Sequence, residues 1–273
     1  MELFSLEKKV VIVTGATGLL GKEHVEAIAL AGGTPVILDL SEKQIEDLVK
    51  YINDKYNVNA SGFVVDITNE ETIKENCKII TEKYGKIDGL VNNAANNPKV
   101  ENTYNLNFSR LENFQTQIWD ADLSVSLKGS FLCIKHYGTV ISKNLEGGSI
   151  VNISSDLGLI APDQRLYKLD GISEEAQPVK PITYSVVKTG LIGLTRYVST
   201  YWAEKNVRCN AMCPGGIENN QNEQFLSEIR KRIPMNRMAQ RNEYQGLLIF
   251  LLSNASSYVN GAIIAADGGR SVW

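Results

Sequence analysis

Apolar and polar residues along this chain form alternating blocks that predict strands followed by amphipathic helices. The stretch 9–21, KVVIVTGATGLLG, predicts a β-branched strand, a glycine-rich turn and the start of a helix. Further strands are predicted at 34–38, 60–65, 87–91, 149–154, 207–212 and 261–267, and helices at 18–31, 41–56, 69–84 and 184–203. Short apolar strands separated by helices are typical of a parallel sheet covered on both faces. We expect one α/β domain over residues 1–273.

The first predicted turn carries Gly15, Gly18 and Gly21 in the spacing G-x-x-G-x-x-G. Glycines in such a turn let backbone N–H groups and a helix N-terminus come close to a dinucleotide pyrophosphate. A tight turn that binds no ligand is the alternative interpretation of the glycines alone.

Asp39 stands at the end of the second predicted strand, 18 residues after Gly21. A carboxylate at this place accepts hydrogen bonds from an adenosine ribose and repels a 2′-phosphate, which favours NAD(H) over NADP(H) as the cofactor. The alternative is that Asp39 only caps the helix that begins at Ser41. After the fourth strand, Asn92 is open to two interpretations, because its amide can tie strand ends together or contact a ligand.

Composition narrows the kinds of partner. The formal net charge is −3 and no long basic run occurs, which argues against a nucleic-acid surface and favours a small-molecule substrate. The four cysteines lie in apolar segments without C-x-x-C spacing and the two histidines are far apart, so we expect core thiols and no metal site. The first ten residues carry charges where a signal peptide is apolar, and no segment approaches a membrane span, so we expect a cytoplasmic protein.

Three residues carry candidate acid–base chemistry. Ser155 follows the fifth strand, at the sheet edge where open parallel sheets bind ligands. Tyr184 and Lys188 are four residues apart at the start of a predicted helix, so they share a face and the ammonium lies near the phenol. A neighbouring cation, together with the positive nicotinamide of a bound NAD⁺, favours phenolate and lowers the pKa of a tyrosine toward that of a general base. On its own, the Y-x-x-x-K spacing also fits an ordinary pair on a helix surface.

Five features of the chain follow one another in the order glycine turn, N-N-A-A run at 92–95, Ser155, Y-x-x-x-K and P-G pair at 214–215. In this order the chain resembles the short-chain dehydrogenase/reductase family in its compact form. The resemblance covers essentially the whole chain. It implies a Rossmann-type, doubly wound parallel sheet of seven strands with helices on both faces. The cofactor-binding residues that it implies, with Asp39 included, are Gly15, Thr17, Gly18, Leu19, Leu20, Asp39, Leu40, Asp66, Ile67, Asn93, Ala94, Ala95, Tyr184, Lys188, Pro214, Gly215, Ile217 and Asn219.

The resemblance also implies a role for each candidate. Tyr184 takes the proton of a substrate hydroxyl as hydride leaves carbon for a nicotinamide. Lys188 tunes Tyr184 and binds the nicotinamide ribose. Ser155 hydrogen-bonds the reacting oxygen and stabilises its developing charge. The backbone of Ile217 holds the carboxamide.

Three positions depart from the family pattern. Leu19 stands where compact members usually have their second glycine. Ser126 stands where the family has an asparagine whose helix position helps to hold a proton-relay water. We count Ser126 as a catalytic candidate, with a helix-packing serine as the alternative. Asn219 stands where threonine is usual, and its amide can still donate a hydrogen bond.

Between Ser155 and Tyr184 the chain is longer than compact family members, and we call residues 159–182 the insertion. It includes Lys180 and the substrate-binding candidates Arg165, Tyr167 and Lys168. An aromatic ring with several cations suits a phosphorylated or nucleotide-linked sugar, through stacking and charge-assisted hydrogen bonds. The alternative is a surface excursion that packs on a partner subunit.

The chain also resembles oxidoreductases of bacterial flagellin-modification and surface-sugar pathways. The resemblance lies in the insertion, in the S-S-D-L-G sequence that leads into it and in the run PITYSVVK. This implies an activated or phosphorylated sugar that carries a secondary alcohol or ketone. Among enzymes, the alternative is a 3-oxoacyl-carrier-protein reductase, which Asp39 disfavours because such reductases generally use NADPH. Outside enzymes, the alternative is an NAD-binding regulatory protein without turnover.

Two further segments are predicted to border the site. Residues 97–118 are predicted as a rim loop, and residues 218–236 as a polar lid helix whose basic cluster at 230–232 is a solvated face. The family resemblance implies a homotetramer or homodimer built on two long helices, at 107–143 and 183–204.

Overall fold

The computed structural model describes residues 2–96 and 106–273, which contain one seven-stranded sheet. All neighbouring strands are parallel, and the order β3-β2-β1-β4-β5-β6-β7 reverses direction between β1 and β4. The strands are β1 (Val10–Thr14), β2 (Thr34–Asp39), β3 (Ser61–Val64), β4 (Gly89–Asn92), β5 (Gly148–Ile153), β6 (Val207–Pro214) and β7 (Ile263–Ala266). A reversal of this kind opens a crevice at the carboxyl ends of the strands. The doubly wound parallel sheet predicted from the sequence is confirmed.

Helices cover both faces of the sheet. They are α1 (Leu19–Leu30), α2 (Glu42–Tyr56), α3 (Glu70–Tyr84), α4 (Thr116–Leu123), α5 (Gly129–Cys133), α6 (Thr139–Ile141), α7 (Ile182–Tyr201), α8 (Glu223–Arg230) and α9 (Gln245–Leu252). The π-helical segments Ser124–Lys128 and Ile134–Gly138 join α4, α5 and α6 into one continuous rod. A helix crossing a bilayer, judged by length and apolar content, is absent from the described residues.

The alternation of side chains along each strand divides the core in two. On β1, Val11 and Val13 pack toward α1, α2 and α9, whereas Val10 and Ile12 pack toward α3, α5 and α7. Because both sets are buried, the strand is apolar at every position, as strands of doubly covered parallel sheets are. The four cysteines are buried thiols within this core, in agreement with their interpretation from sequence.

The long helix predicted at 107–143 is wrong at its start. Residues 106–109 and 111–113 form 3₁₀ turns, and the helix begins only at Thr116. The cause is tertiary, because Ser109 Oγ accepts a hydrogen bond from Val179 N (3.0 Å) and Arg110 Nη1 donates to Glu174 O (2.8 Å). Both bonds tie this segment to the insertion. Of the predicted rim loop, residues 97–105 lie outside the described residues.

The lid was predicted as one helix over 218–236, but only α8 is helical. Asn222 caps the start of α8, because its side chain accepts a hydrogen bond from Phe225 N. The insertion contains two short 3₁₀ turns, Gln164–Tyr167 and Glu174–Ala176. Insertion and lid share a small apolar cluster of their own, formed by Leu166, Leu226, Ile229, Ile233 and Met238. These two segments therefore form one wall beside the carboxyl edge of the sheet.

Candidate active site

A cavity of ≈ 1080 Å³ lies along the carboxyl ends of the strands. It brings together every cofactor-binding residue predicted from sequence, together with Ser155 and Tyr167. The lining residues that the sequence singled out are Gly15, Thr17, Gly18, Leu19, Leu20, Asp39, Leu40, Asp66, Ile67, Asn93, Ala94, Ala95, Ser155, Tyr167, Tyr184, Lys188, Pro214, Gly215, Ile217 and Asn219. Ser126, Arg165 and Lys168 do not line it.

The glycine turn is closely packed against the end of β4. Gly15 has φ +60°, and a Cβ placed on it would lie 2.8 Å from Ala94 Cα. A Cβ on Gly21 would lie 2.2 Å from Gly15 O. Gly18 caps α1 without a side-chain hydrogen bond, so the N-terminal N–H groups of α1 face the cavity without a capping side chain. That is the donor set that a pyrophosphate needs.

Residues after β4 hold this turn in place. The backbone N–H groups of Asn93 and Ala94 donate to Thr14 Oγ1 (3.1 Å each), and Asn93 Nδ2 donates to the carbonyls of Thr14 and Gly15 (3.0 Å each). Asn92 is buried and donates to Asn152 Oδ1 (2.8 Å), so of its two possible roles the structure shows the strand tie.

The Asp39 carboxylate joins β2 to the glycine turn. Its Oδ2 accepts hydrogen bonds from the N–H and hydroxyl of Thr17, and its Oδ1 accepts one from Leu40 N, all at 2.8 Å. None of these donors belongs to α2, so the Asp39 side chain does not cap that helix, which is the alternative that the sequence left open. A second carboxylate, Asp66, lines the same end of the cavity and accepts from Thr68 N (2.8 Å).

Ser155, Tyr184 and Lys188 meet at the opposite end of the cavity. Ser155 follows β5, and the start of α7 places Tyr184 and Lys188 above it. The Ser155 hydroxyl lies close enough to the Tyr184 phenol to influence its protonation. Lys188 is buried, its Nζ donates to Ile153 O (2.8 Å), and it lies 5.7 Å from the centre of the Tyr184 ring. A phenol, a hydroxyl and an ammonium therefore share one wall.

Burial dominates the protonation of this group. It raises the pKa of Tyr184 above its ordinary value, the Ser155 side chain lowers it, and the charge of Asp156 raises it. Burial also lowers the pKa of Lys188 to about 8, with Lys180 adding to the effect. The lowered pKa predicted for Tyr184 beside a cation and NAD⁺ is therefore not reached by the protein alone, because desolvation of the phenolate outweighs the lowering influence of Ser155.

An ion pair missed by the sequence analysis supports Ser155. Ser155 Oγ donates to Asp156 Oδ1 (2.8 Å), and Arg270 Nη1 donates to Asp156 Oδ2 (2.6 Å). Both residues line the cavity; Asp156 is buried and the Arg270 side chain is mostly buried, with 10% exposed. The position of Asp156 directly after Ser155 was a local signal that a buried carboxylate needs a cation. The sequence did not show which cation, because Arg270 lies 114 residues further along the chain.

Ser126 lies within the π-helical segment between α4 and α5. Its carbonyl accepts a hydrogen bond from Ser130 Oγ (2.7 Å), and its own Oγ has no hydrogen-bond partner among the described residues. The backbone is irregular at this position, as a relay carbonyl would need. The relay role of Ser126 stays a prediction.

The three substrate-binding candidates of the insertion separate in the structure. Arg165 forms two 2.8 Å contacts with the Asp163 carboxylate, and Lys168 pairs with Glu174 (2.8 Å). Tyr167 faces the cavity beside Phe225, with ring centres 6.0 Å apart. A third basic residue, Lys180, lines the cavity with its Nζ 3.8 Å from the centre of the Tyr184 ring.

The segment after β6 closes the cavity near Tyr184. Tyr244 OH donates to Gly215 O (3.0 Å), and Ile217 pairs with Ala239. Arg241 donates to Asn219 Oδ1 (2.6 Å), so the atom that Asn219 has to offer a carboxamide oxygen is Nδ2. Each residue of the basic cluster at 230–232 contacts a carboxylate, and none of the three lines the cavity.

Comparison with known proteins identifies the class. The family model described as enoyl-(acyl carrier protein) reductase matches residues 15–271. A 3-oxoacyl-(acyl-carrier-protein) reductase from Thermotoga maritima is 32% identical over 269 residues, 97% of this chain and 98% of that protein. Post-translational flagellin modification protein A from Campylobacter coli is 28% identical over 97% of this chain and 98% of its own length.

A solved structure agrees. Gluconate 5-dehydrogenase from Burkholderia cenocepacia, in complex with NADP and tartrate, superposes with a TM-score of 0.86 at 25% identity and covers 100% of this chain and 98% of its own. The chain is a member of the short-chain dehydrogenase/reductase family. Members bind a nicotinamide cofactor, so the chain is an oxidoreductase of that family acting on a small molecule.

The residues present fit a nicotinamide dinucleotide. The glycine turn has no room for a Cβ at Gly15 or Gly21, and α1 presents its N–H groups at a turn without a capping side chain. A nicotinamide bound beside Tyr184 and Lys188 would supply or accept the hydride. Within the described residues, no group of three or more His, Cys, Asp or Glu side chains is arranged to hold a metal ion.

Proposed function

We propose that this protein is an NAD(H)-dependent dehydrogenase/reductase that interconverts a secondary alcohol and a ketone on a sugar derivative. The observation that carries the proposal is the convergence of Ser155, Tyr184 and Lys188 at the end of a cavity that begins at the glycine turn. In the oxidation direction the phenol oxygen of Tyr184 takes the substrate hydroxyl proton, and in reduction it returns that proton.

Ser155 and Lys188 assist this proton transfer. The Ser155 hydroxyl donates to Asp156, so it must turn about its Cβ–Oγ bond to donate to a substrate oxygen. The hydrogen bond to Ile153 O holds the Lys188 ammonium near the Tyr184 ring. Its positive charge there stabilises the negative charge of a forming phenolate. Since burial raises the pKa of Tyr184, the phenol needs nearby positive charge to act as a base, and we propose that Lys188 and the oxidised cofactor together supply it.

The Tyr184→Phe variant tests the catalytic assignment. It removes only the phenol oxygen, and we expect turnover to fall by about 10³-fold or more, as for loss of an acid–base group together with its charge stabilisation. Tyr197→Phe on the exposed side of α7 is the matched control and should turn over like the parent. A Tyr184→Phe protein as fast as the parent would remove the catalytic proposal.

We propose NAD(H) as the cofactor because the Asp39 carboxylate lies at the adenosine end with Asp66 nearby in the lining. A 2′-phosphate there would meet negative charge. The gluconate 5-dehydrogenase structure holds NADP, so the alternative has support from a relative. Fluorescence titration should give tighter binding of NADH than NADPH by about tenfold or more, and the isosteric Asp39→Asn change should narrow the ratio. Tighter NADPH binding by the parent contradicts the proposal.

We propose an activated or phosphorylated sugar of a surface-glycan or flagellin-modification pathway as the substrate. Its supports are the relative named as a flagellin modification protein and the insertion that forms a wall of the cavity through Tyr167 and Lys180. The second candidate is a 3-oxoacyl-(acyl-carrier-protein) reductase, favoured by the Thermotoga maritima relative. Parallel assays with phosphate or nucleotide sugars and with a 3-oxoacyl thioester decide between them. A homodimer or homotetramer in the cytoplasm stays a prediction from the sequence.

A further inference from the structure

Three side chains follow one another after the end of β5, and each contacts the next. Arg270 Nη1 donates to Asp156 Oδ2 (2.6 Å), and Asp156 Oδ1 accepts from Ser155 Oγ (2.8 Å). The N–H of Leu157 donates to Asp156 Oδ1 (2.8 Å) and to Ser155 Oγ (3.2 Å), so the main chain adds to this arrangement. One oxygen of the carboxylate therefore serves Ser155, and the other serves Arg270.

Arg270 is brought to this place by the turn after β7. The Asp267 carboxylate accepts hydrogen bonds from the N–H groups of Gly269 and Ser271 (2.9 Å each), and the Asp267 carbonyl accepts one from Arg270 N (3.3 Å). A Cβ placed on Gly215 would lie 2.8 Å from Asp267 Cα, so this turn packs closely against the end of β6. The backbone that carries Arg270 is thus fixed from both sides, and its side chain lines the cavity.

Tyr184 has charges of both signs around it. Within the described residues, the charged and titratable groups on the elements packed around the start of α7 are Lys180 of the insertion, Lys188 of α7, Asp122 of α4, Cys213 of β6 and Asp156. Of these, Asp156 has a negative charge that raises the pKa of Tyr184. A guanidinium paired with that carboxylate works against this effect, because its field has the opposite sign. Asp156 therefore opposes a phenolate at Tyr184 less strongly when Arg270 is in place.

We propose that Arg270 is a positioning residue, which balances the charge of Asp156 so that the carboxylate can hold the Ser155 hydroxyl beside Tyr184 without opposing the phenolate. The inference rests on the proposed function and deepens it, because it adds a charge-balancing pair to the three residues predicted from sequence. Arg270 acts through Asp156, which it contacts directly. An arginine suits this role because its guanidinium keeps its charge over the whole working range of pH.

The ionisation of Tyr184 itself tests the charge balance. Protein with carbon-13 at the phenol carbon of tyrosine is saturated with NAD⁺ or NADP⁺, whichever binds more tightly. NMR spectra are recorded from neutral pH up to the pH at which the protein unfolds. The signal that is missing from the Tyr184→Phe variant belongs to Tyr184, and its chemical shift reports the pH at which half of the phenol is ionised.

Single variants should move this ionisation in opposite directions. Asp156→Asn removes the negative charge and keeps an oxygen that can accept from Ser155, so Tyr184 should ionise about one pH unit lower than in the parent. Arg270→Met leaves the carboxylate unbalanced, so Tyr184 should ionise about half a pH unit higher, and Arg270→Lys should restore most of the difference. Glu71→Gln and Lys74→Met, at an exposed ion pair on α3, are the matched controls and should titrate like the parent.

A double variant covers the case in which Arg270→Met does not fold. Asp156→Asn with Arg270→Met removes both charges of the pair, and Tyr184 should ionise at a higher pH in it than in Asp156→Asn alone. The proposal is overturned if Asp156→Asn and the parent give the same Tyr184 signal at every pH at which both are folded. It is also overturned if removing Arg270, in either background, leaves the ionisation of Tyr184 unchanged or moves it to lower pH.

This readout keeps the role of Arg270 separate from the proposed function, because it needs neither a substrate nor turnover. A protein whose Tyr184 follows the expected order but that transfers no hydride contradicts only the dehydrogenase assignment. A protein that transfers hydride while Arg270 has no effect on Tyr184 contradicts only the role of Arg270.

Discussion

The two ends of the cavity are built from different materials. At the glycine turn, each of the following hydrogen bonds has a main-chain partner: Asn93 Nδ2 donates to the carbonyls of Thr14 and Gly15, and Ala94 N donates to Thr14 Oγ1. The backbone contacts of Gly15 and Gly21 are also close. At the insertion and the lid, contacts between side chains hold the structure in place. Asp163 contacts both Arg165 and Arg232, Lys168 contacts Glu174, and the Gln177 amide bonds to the backbone at 169 and 172.

This difference teaches where each end is vulnerable. A main-chain site fails when a Cβ intrudes, because backbone atoms cannot move aside cheaply. A wall of exposed ion pairs loses little when one pair is removed, because water solvates the separated charges. The exception among the ion pairs is that of Asp156 and Arg270, which lies outside the insertion and the lid and whose side chains are only 4% and 10% exposed.

The Arg270→Met change is the strongest test of that exception. It leaves the Asp156 carboxylate buried without its cation, and we expect a loss of about 3 to 5 kcal/mol in the free energy of unfolding. Arg165→Met is the matched control, since Arg165 is 76% exposed and its loss should be at most about 1 kcal/mol. Urea denaturation measures both. Equal losses in the two variants would show that burial does not distinguish these pairs.

The Gly21→Ala change tests the main-chain end. The new Cβ would lie 2.2 Å from Gly15 O and 2.7 Å from Ala16 Cα, so the turn must open. We expect destabilisation by about 2 to 3 kcal/mol and a loss of NADH affinity in the same protein. Gly246→Ala in α9, where a Cβ meets nothing within 4 Å, should change stability by less than about 1 kcal/mol. Retained stability and NADH binding in Gly21→Ala would contradict the close packing.

His24 is a polar side chain buried in the core without the hydrogen bonds that would stabilise its charged form. It is fully buried in α1, neither ring nitrogen has a hydrogen-bond partner among the described residues, and burial lowers its pKa to about 3. The unfolded chain binds the proton at the ordinary value of 6.5, so the stability present above pH 6.5 declines as the pH falls toward 3. At pH 5 the expected loss is about 2 kcal/mol.

Substitution isolates this contribution. His24→Leu should lose about 2 kcal/mol less than the parent between pH 7.5 and pH 5, measured by urea denaturation at both pH values. His136→Gln retains His24 and should keep the parent's decline. An identical decline in His24→Leu would show that other groups cause the pH dependence.

The sequence predicted the main-chain end well because its signals are local. The predicted helix at 69–84 differs from α3 by one residue, since Asn69 caps it and Gly85 ends it with φ 76°. The glycine turn and the edge positions of Ser155 and Tyr184 followed from the same local patterns, and the cavity contains all of them.

The side-chain end was less predictable because its signals lie far apart in the chain. In the sequence, Arg165, Lys168 and Lys180 are equivalent basic residues of the insertion. Only the fold shows that Lys180 lines the cavity, whereas Arg165 and Lys168 form ion pairs outside it. The 3₁₀ turns at 106–113 depend on hydrogen bonds to residues 174 and 179. The partner of Asp156 is equally distant, so no window of a few residues contains the information.

The distance in sequence between Asp156 and Arg270 also affects how the protein is made. A ribosome adds about 5 to 20 residues per second, so after Asp156 is synthesised its counter-charge follows on the order of ten seconds later. Until then the neighbourhood of Ser155 has a carboxylate that resists dehydration. We expect the nascent chain to keep this corner hydrated while the earlier strands assemble, so that the acid–base centre is among the last parts to lose water.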